Sequence, residues 1–144
     1  MMYRNNLLIS FDFGTKNIGV AIGQMKTNTS KPLESVSYVK GVPNWGKINN
    51  IILLWEPKYI IVGLPLNMDG SYQTSTIKAK KFAKQLRNKF FMPVMMHDER
   101  LTTIEAKSVL FKKYGYKGLK KKLIDSESAV IILDSWMNSI YFKK

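Results

Sequence analysis

Residues 7–23 read LLISFDFGTKNIGVAIG, and this stretch decides the fold. Its first half alternates apolar odd positions with Ser10 and Asp12, the period of two that predicts a β-strand. The same alternation returns over 18–23, so residues 14–17 are predicted to form the turn of a β-hairpin. Asp12 is therefore expected at the carboxyl end of the first strand, next to a turn that contains a glycine.

The rest of the chain mixes helices with strands. Apolar residues recur at helical intervals from Trp45 to Trp55 and stop before Pro57, whereas 59–64 form a continuous apolar run typical of a buried central strand. The other predicted elements are a strand over 34–39, a helix with an apolar stripe from 79 to 90, a strand over 93–99, a helix beginning near Thr102, and a last helix with its apolar stripe from 129 to 140. This order predicts an α/β domain, a mixed sheet flanked by helices. A length of 144 residues fits one such domain over 1–144.

The composition limits the classes of ligand and partner. The 23 basic and 10 acidic residues give a net charge of +13, which favours a polyanionic partner such as nucleic acid. Most of the basic residues are lysine, however, and a genome rich in A and T would produce that skew without any binding role. The absence of cysteine excludes disulfides and thiolate metal sites, and the single His97 excludes a zinc site built from several histidines. The apolar run at 7–9 is too short for a signal peptide or a membrane span, so a cytoplasmic location is expected.

Three acidic residues stand at positions where a site is expected. Asp12 ends the first strand, Glu99 ends the last strand, and Asp125 lies at the amino end of the last helix on its core-facing side. In open α/β sheets, ligands bind beyond the carboxyl ends of the parallel strands. Clustered carboxylates there would need a divalent cation, and oxygen ligands alone suit Mg²⁺ or Mn²⁺. Two such ions about 4 Å apart would support hydrolysis of a phosphodiester bond.

Each of these acids also has a purely structural explanation. Asp12 can belong to a simple turn, Glu99 can pair with Arg100 at the surface, and Asp125 can be an ordinary helix N-cap. Taken singly, the structural explanation is favoured for Glu99 and Asp125. Their coincidence at one end of the same predicted sheet favours a site.

Basic residues near the acids are candidates for contacts with nucleic acid. Lys16 follows Asp12 in the hairpin turn, where it could contact a phosphate, although a solvated loop lysine is the favoured explanation. Lys80, Lys84 and Arg87 fall together on one face of the second predicted helix, away from its apolar stripe. Residues 114–122 interleave tyrosines with lysines, as surfaces that bind single-stranded nucleic acid do, but a solvated loop fits nearly as well.

Four motifs resemble those of the YqgF family, also called RuvX or Holliday junction resolvase-like proteins and regarded as pre-16S rRNA nucleases. They are FDFGTKNIGVAIG from Phe11, IVGLPLNMDGS from Ile61, DERLTTIEA from Asp98 and DSESAVIIL from Asp125. The resemblance covers nearly the whole chain, and four motifs in order are far more specific than one. There are departures: Lys16 stands where arginine is also common, Tyr72 and Gln73 where glycine is frequent, and Ser128 where alanine is usual.

The resemblance implies an RNase H-like fold with a five-stranded mixed sheet of order 3-2-1-4-5. It implies that Asp12, Glu99 and Asp125 form an acidic site for Mg²⁺ or Mn²⁺, with two ions once substrate is bound. Glu99 is preferred to Asp98 because its longer side chain reaches a shared metal more readily. The resemblance also implies that three residues contact backbone phosphates, namely Lys16, Asn67 and Arg100.

Four functions follow as hypotheses. The first is a metal-dependent endonuclease that trims the 5′ end of the small-subunit ribosomal RNA precursor. The second is a resolvase of branched DNA, which would need a homodimer because two symmetric cuts need two sites. The third is a non-catalytic RNA-binding factor of ribosome assembly. The fourth, nucleotide binding as in actin-like ATPases, ranks lowest because those proteins need a duplicated domain. The sequence leaves open whether the protein is a monomer or a homodimer.

Overall fold

The structure is a computed structural model that describes residues 6–14, 16–100, 108, 112 and 121–142, with side chains in the last range described for 126–140. Three regions named from the sequence lie partly or wholly outside the described residues. They are the helix predicted to begin near Thr102, most of the basic segment 114–122, and the side chain of Asp125. Among the described residues, no helix is both long enough and apolar enough to cross a membrane.

The centre of the fold is one mixed sheet of six strands in the order β4-β3-β2-β1-β5-β6. The strands are β1 Leu7–Phe13, β2 Asn17–Gln24, β3 Thr29–Val39, β4 Val42–Pro43, β5 Tyr59–Leu64 and β6 Val94–Asp98. The first four pair antiparallel along the chain, whereas β1, β5 and β6 are parallel. The predicted α/β fold and the predicted hairpin of β1 and β2 are confirmed.

The predicted count of five strands was wrong by one. β4 is a two-residue edge strand that pairs with the end of β3 across a tight turn, in which Lys40 and Gly41 have φ angles of 53° and 80°. Pro43 is the second residue of β4. Proline is tolerated at an edge because no partner requires its missing N–H. β3 also begins earlier than predicted. The prediction missed its first half because most of that half is exposed and lacks an apolar alternation.

Three helices are described: α1 Trp45–Trp55, α2 Thr74–Phe90 and α3 Lys121–Phe142. The predicted bounds of α1 are confirmed, and its ends have clear causes. The side chain of Asn44 accepts a hydrogen bond from the Lys47 N–H, and Glu56 ends the helix in the left-handed conformation, with φ 47°. α2 begins before its apolar stripe, because Gln73 and Thr76 form a reciprocal capping box there.

The helices cover the two faces of the sheet, and the alternation along β1 distributes its side chains between them. Ile9 and Phe11 belong to the apolar cluster formed with α1 and α2. Leu8 belongs to a second cluster under α3, and the Ser10 hydroxyl donates to the carbonyl of Ala129 in α3 at 2.6 Å. Asp12 follows Ser10 by two residues, so the β1 alternation places it on the α3 face, at the carboxyl end of the strand.

Candidate active site

Asp12 and Glu99 are brought together by the parallel strands β1, β5 and β6. In the register of β1 and β5, Phe11 pairs with Val62, so Asp12 and Gly63 lie next to each other. Glu99 directly follows β6, and its N–H donates to the carbonyl of Leu64, the last residue of β5, at 3.1 Å. The backbone of Glu99 is thus fixed at the carboxyl end of β5, one strand away from Asp12.

The carboxyl group of Glu99 is turned into the protein, towards Asp12. Burial raises the pKa of Glu99 to about 10, and the charge of Asp12 and a side-chain hydrogen bond with it act in the same direction. The Oε2 atom of Glu99 is buried with no hydrogen-bond partner. Because two ionised carboxylates within hydrogen-bonding reach would repel each other, the pair either retains a proton or binds a cation.

Gly63 makes room for this carboxyl group. A Cβ atom at position 63 would collide with Oε2 of Glu99 and would lie 2.6 Å from Cδ1 of Ile132 in α3. Any side chain at this point of β5 would therefore displace Glu99. The sequence predictions missed Gly63, although a glycine inside a continuous apolar strand is a recognised sign that another group approaches the backbone closely.

Asp98, the alternative to Glu99, faces a different partner. Its Oδ2 accepts a hydrogen bond from Nε of Arg100 at 2.8 Å, and this bond lowers the pKa of Asp98. Nη1 of Arg100 also donates to the carbonyl of Met68 at 3.1 Å. Arg100 therefore links the segment after β6 to the loop 65–73, which joins β5 to α2.

The other predicted phosphate contacts lie on the same side of the molecule or in this loop. Asn67 stands in the loop 65–73, where its Nδ2 donates to the Ser71 hydroxyl at 3.0 Å. Lys16 is exposed in the turn after β1, two residues from Gly14. The structure thus places Asn67 and Arg100 in contact with one loop, and Lys16 in the turn that follows Asp12.

The three residues of α2 that are predicted to contact nucleic acid differ in their partners. Nζ of Lys80 lies 4.9 Å from the centre of the Tyr72 ring and 3.0 Å from its hydroxyl. Lys84 is exposed. Arg87 donates from Nε and Nη2 to the carbonyl of Val94, at 3.1 and 2.8 Å, so its guanidinium group joins the end of α2 to the start of β6.

The backbone of Asp125 belongs to α3, one turn before Ala129. The next residue, Ser126, donates its hydroxyl to the carbonyl of Leu33 at 2.8 Å, and Leu33 pairs with Val20 in the sheet. Val20 in turn pairs with Phe11, the neighbour of Asp12. This part of α3 therefore crosses the sheet close to the end that carries Asp12. Among the described side chains, no group of three acidic or histidine residues could hold a metal ion, and that of Asp125 lies outside them.

His97 does not join the acidic pair. Its Nε2 lies 2.7 Å from the hydroxyl of Ser135 in α3, so the ring has a hydrogen-bond partner between β6 and α3.

The fold is that of Holliday junction resolvases of known structure. The fowlpox virus Holliday junction resolvase superimposes with a TM-score of 0.60 at 20% sequence identity, over 93% of this chain and 99% of that one. The Thermus thermophilus RuvC protein, solved in complex with a Holliday junction substrate, gives a TM-score of 0.57 at 12% identity, over 94% of this chain and 96% of that one. At these identities the likeness concerns the fold alone.

The chain belongs to the RuvX family, whose model is described as "Holliday junction resolvase" and matches residues 6–139. A relative from Buchnera aphidicola is 53% identical over 92% of this chain and 98% of its own length. Another from Photorhabdus laumondii is 50% identical over 95% of this chain and 99% of its own length. Both carry the name "Putative pre-16S rRNA nuclease". The family suggested by the four sequence motifs is confirmed.

Proposed function

We propose that this protein is a metal-dependent endonuclease that hydrolyses phosphodiester bonds of RNA, in the maturation of the 5′ end of pre-16S rRNA. The observation that carries the proposal is the contact between Asp12 and the buried carboxyl group of Glu99, at the carboxyl ends of β1 and β6. The choice of RNA is supported by the names of relatives at 50% and 53% identity. Such a substrate would be met in the cytoplasm.

The acidic pair fits a divalent cation by its chemistry. A buried carboxylate oxygen without a hydrogen-bond partner, beside a second carboxyl group, offers the hard oxygen ligands that Mg²⁺ and Mn²⁺ prefer. We assign Asp12, Glu99 and Asp125 as the ligands, with two ions when substrate is bound. Bound divalent cations supply an activated water molecule and stabilise negative charge on the phosphate oxygens.

Other residues of the chain position the Glu99 carboxyl group and bind the nucleic acid. Gly63 leaves the space in which the Glu99 carboxyl group approaches Asp12. Lys16, Asn67 and Arg100 bind phosphates next to the bond that is cut. Three basic residues of α2 contact the nucleic acid further along its backbone, namely Lys80, Lys84 and Arg87.

The decisive experiment compares the wild type with Asp12→Asn on precursor ribosomal RNA and on a four-way DNA junction, each with Mg²⁺ or Mn²⁺. We expect Asp12→Asn to abolish cleavage of the RNA, because the neutral amide cannot replace a carboxylate ligand. RNA affinity and the circular dichroism spectrum should stay close to those of the wild type. Full cleavage by Asp12→Asn would refute the proposed site.

Calorimetry with Mn²⁺ separates this enzyme from a non-catalytic RNA-binding factor. The wild type should bind Mn²⁺ specifically, and Asp12→Asn should lose that binding. Equal binding of Mn²⁺ by both proteins would mean that the acids have only a structural role.

Cleavage of branched DNA is the second candidate, and the family description favours it. A resolvase makes two symmetric cuts, so it needs two active sites related by a twofold axis. Sedimentation at the concentrations used for cleavage tests this requirement. A strictly monomeric protein that cleaves the RNA would exclude this candidate.

A further inference from the structure

A groove lies beside the acidic pair, between α2 and the hairpin of β3 and β4. It encloses about 440 Å³, within the range of roughly 300–1,000 Å³ typical of sites for small molecules. Most of its wall is apolar, and its opening is basic. Its lining includes Phe13, Tyr38, Val42, Pro43, Lys78 and Lys81.

The wall of the groove is aromatic on the side of the sheet. The rings of Phe13 and Tyr38 meet edge to face, with their centres 5.8 Å apart, and both side chains are half-buried. Phe13 is supported from below by Phe82 of α2, at 4.9 Å between ring centres. Aromatic rings held in this way present fixed surfaces for stacking, at little cost in side-chain entropy.

The opening of the groove carries positive charge. Lys78 and Lys81 lie on α2, three residues apart and therefore on neighbouring positions of one helix face, and both are exposed. Across the opening stands Val42 of β4, which is 52% exposed. An apolar, aromatic interior with two ammonium groups at its rim complements a planar base that is attached to a phosphate.

The groove and the candidate active site use neighbouring residues of β1. Phe13 directly follows Asp12, and their side chains leave opposite faces of β1 at its carboxyl end. The Tyr38 hydroxyl donates to the carbonyl of Gly14 at 2.5 Å. A residue that lines the groove therefore also holds Gly14, where the turn after β1 begins. A strand of nucleic acid that crosses the carboxyl end of β1 would therefore pass both the acidic pair and the groove.

We propose that this groove binds one unpaired nucleotide of the RNA next to the bond that is cut. Its base packs against Phe13 and Tyr38, and its phosphate binds Lys78 and Lys81. The nucleotide must be unpaired because a base within a duplex is stacked on both faces and cannot enter a groove. This inference rests on the proposed nuclease function and adds a requirement for a single-stranded segment beside the cut.

A nuclear magnetic resonance titration tests the base-binding step without cleavage. Uridine monophosphate added to the labelled protein should shift the backbone amide signals of Gly14, Gly41 and Ser75, which line the groove. Inorganic phosphate at the same concentration should shift them much less. Equal shifts with phosphate, or shifts confined to other residues, would overturn the proposal.

A double variant tests the role of the groove in substrate binding. Lys78→Ala with Lys81→Ala should weaken the binding of RNA with an unpaired segment about tenfold, while binding of a fully paired RNA changes little. The matched control removes the same charge at the other end of the sheet, with Lys26→Ala and Lys58→Ala. Lys58 lies there because its N–H donates to the carbonyl of Leu7, the first residue of β1.

The two proposals can fail separately. If the wild type cleaves RNA in a manner that depends on Asp12, but the groove variant and its control bind both RNAs equally well, the groove proposal is wrong and the nuclease stands. If the wild type cleaves no RNA, the nuclease is wrong. Loss of discrimination between unpaired and paired RNA only in the groove variant would support the groove.

Discussion

At the scale of single residues, the position of one carboxyl group depends on its neighbours in two strands, β1 and β5. Glu99 is held by the carbonyl of Leu64, admitted by the missing side chain of Gly63, and turned towards Asp12. Asp98 is next to it in the chain but pairs with Arg100. A buried carboxyl group beside a second one is costly when ionised, which is why such pairs occur where a cation or a shared proton compensates for them.

Gly63→Ala tests the space around Glu99. The added methyl group would occupy the position of the carboxyl group, so we expect Mn²⁺ affinity and RNA cleavage to fall more than about tenfold. Stability should fall by about 1–3 kcal/mol, as is usual for overpacking. Calorimetry, a cleavage assay and urea unfolding measure the three effects.

Gly46→Ala is the matched control for that substitution. At position 46 the nearest atom to an added Cβ is Oδ1 of Asn44 at 3.5 Å, an ordinary contact. Because alanine favours a helix more than glycine does, this variant should be as stable as the wild type or more stable by up to about 1 kcal/mol. Wild-type Mn²⁺ affinity in Gly63→Ala would contradict the proposed position of Glu99.

The raised pKa of Glu99 predicts how stability depends on pH. In the unfolded chain a glutamate titrates near its ordinary value of 4.5, whereas in the folded, metal-free protein Glu99 keeps its proton up to a pKa of about 10. The folded state therefore binds more protons between these values, and the free energy of unfolding should decrease as pH rises through this window. Urea unfolding with a chelator, at pH values from about 5 to about 9, measures the slope.

Glu99→Gln should flatten this dependence, because it removes the titrating group. Glu34→Gln, which removes an exposed carboxyl group paired with Lys47, should keep it. For the wild type, Mn²⁺ affinity should change in the opposite direction and rise with pH, since the proton must leave before the metal binds. An equal slope in the wild type and Glu99→Gln would show that Glu99 titrates normally.

At the scale of secondary structure elements, α2 has two roles that its sequence does not separate. Its apolar stripe packs Phe82, Ala83 and Leu86 into the core, and its basic residues all lie outside that stripe. The contacts differ, however: Arg87 is bound to the carbonyl of Val94, whereas Lys84 is exposed. The guanidinium group thus serves the junction of α2 with β6 in addition to any contact with nucleic acid.

This difference predicts that two alanine variants affect different properties, one stability and the other RNA binding. Arg87→Ala should lower the free energy of unfolding by about 1 kcal/mol, through its lost hydrogen bonds. Lys84→Ala should change stability by less than about 0.5 kcal/mol but weaken RNA binding. Urea unfolding and fluorescence anisotropy distinguish the two. If both variants affect only RNA binding, the hydrogen bonds from Arg87 to the carbonyl of Val94 do not stabilise the fold.

At the scale of the whole molecule, the net charge of +13 acts on any polyanion before specific contacts form. The proposed contacts begin in the turn after β1 and continue through the loop 65–73 to the outer face of α2. A charge excess produced by genome composition alone would instead be spread without regard to the site. The salt dependence of RNA binding separates these explanations.

The logarithm of RNA affinity should fall linearly with the logarithm of salt concentration, with a slope of about −0.7 for each phosphate bound by a single strand. Replacing Lys84 or Lys16 by alanine should reduce the slope by about one such step. Alanine at Lys26, at the opposite end of the sheet, should leave it unchanged. Equal slopes for all three variants would favour the compositional explanation.

The elements predicted well are those whose signal is local. The β1–β2 hairpin, α1 and β5 follow from alternation, helical spacing and a continuous apolar run, because these patterns record which faces are buried. The two-residue β4 and the exposed half of β3 carry no such pattern, because their pairing depends on backbone hydrogen bonds with a neighbouring strand. The capping box that starts α2 uses Gln73 and Thr76, outside the apolar stripe from which the helix was predicted.

The sequence by itself determined the family, the α/β fold and the candidate acids, because motifs and periodicity are properties of consecutive residues. Only the tertiary structure decided that Glu99 rather than Asp98 faces Asp12, that Gly63 leaves room for it, and that a groove lies on the other face of β1 from Asp12. Each of these depends on the distance between strands far apart in the chain. Glu99 lies just beyond the end of a strand, where alternation no longer dictates direction, so its orientation follows from packing against β5 and α3.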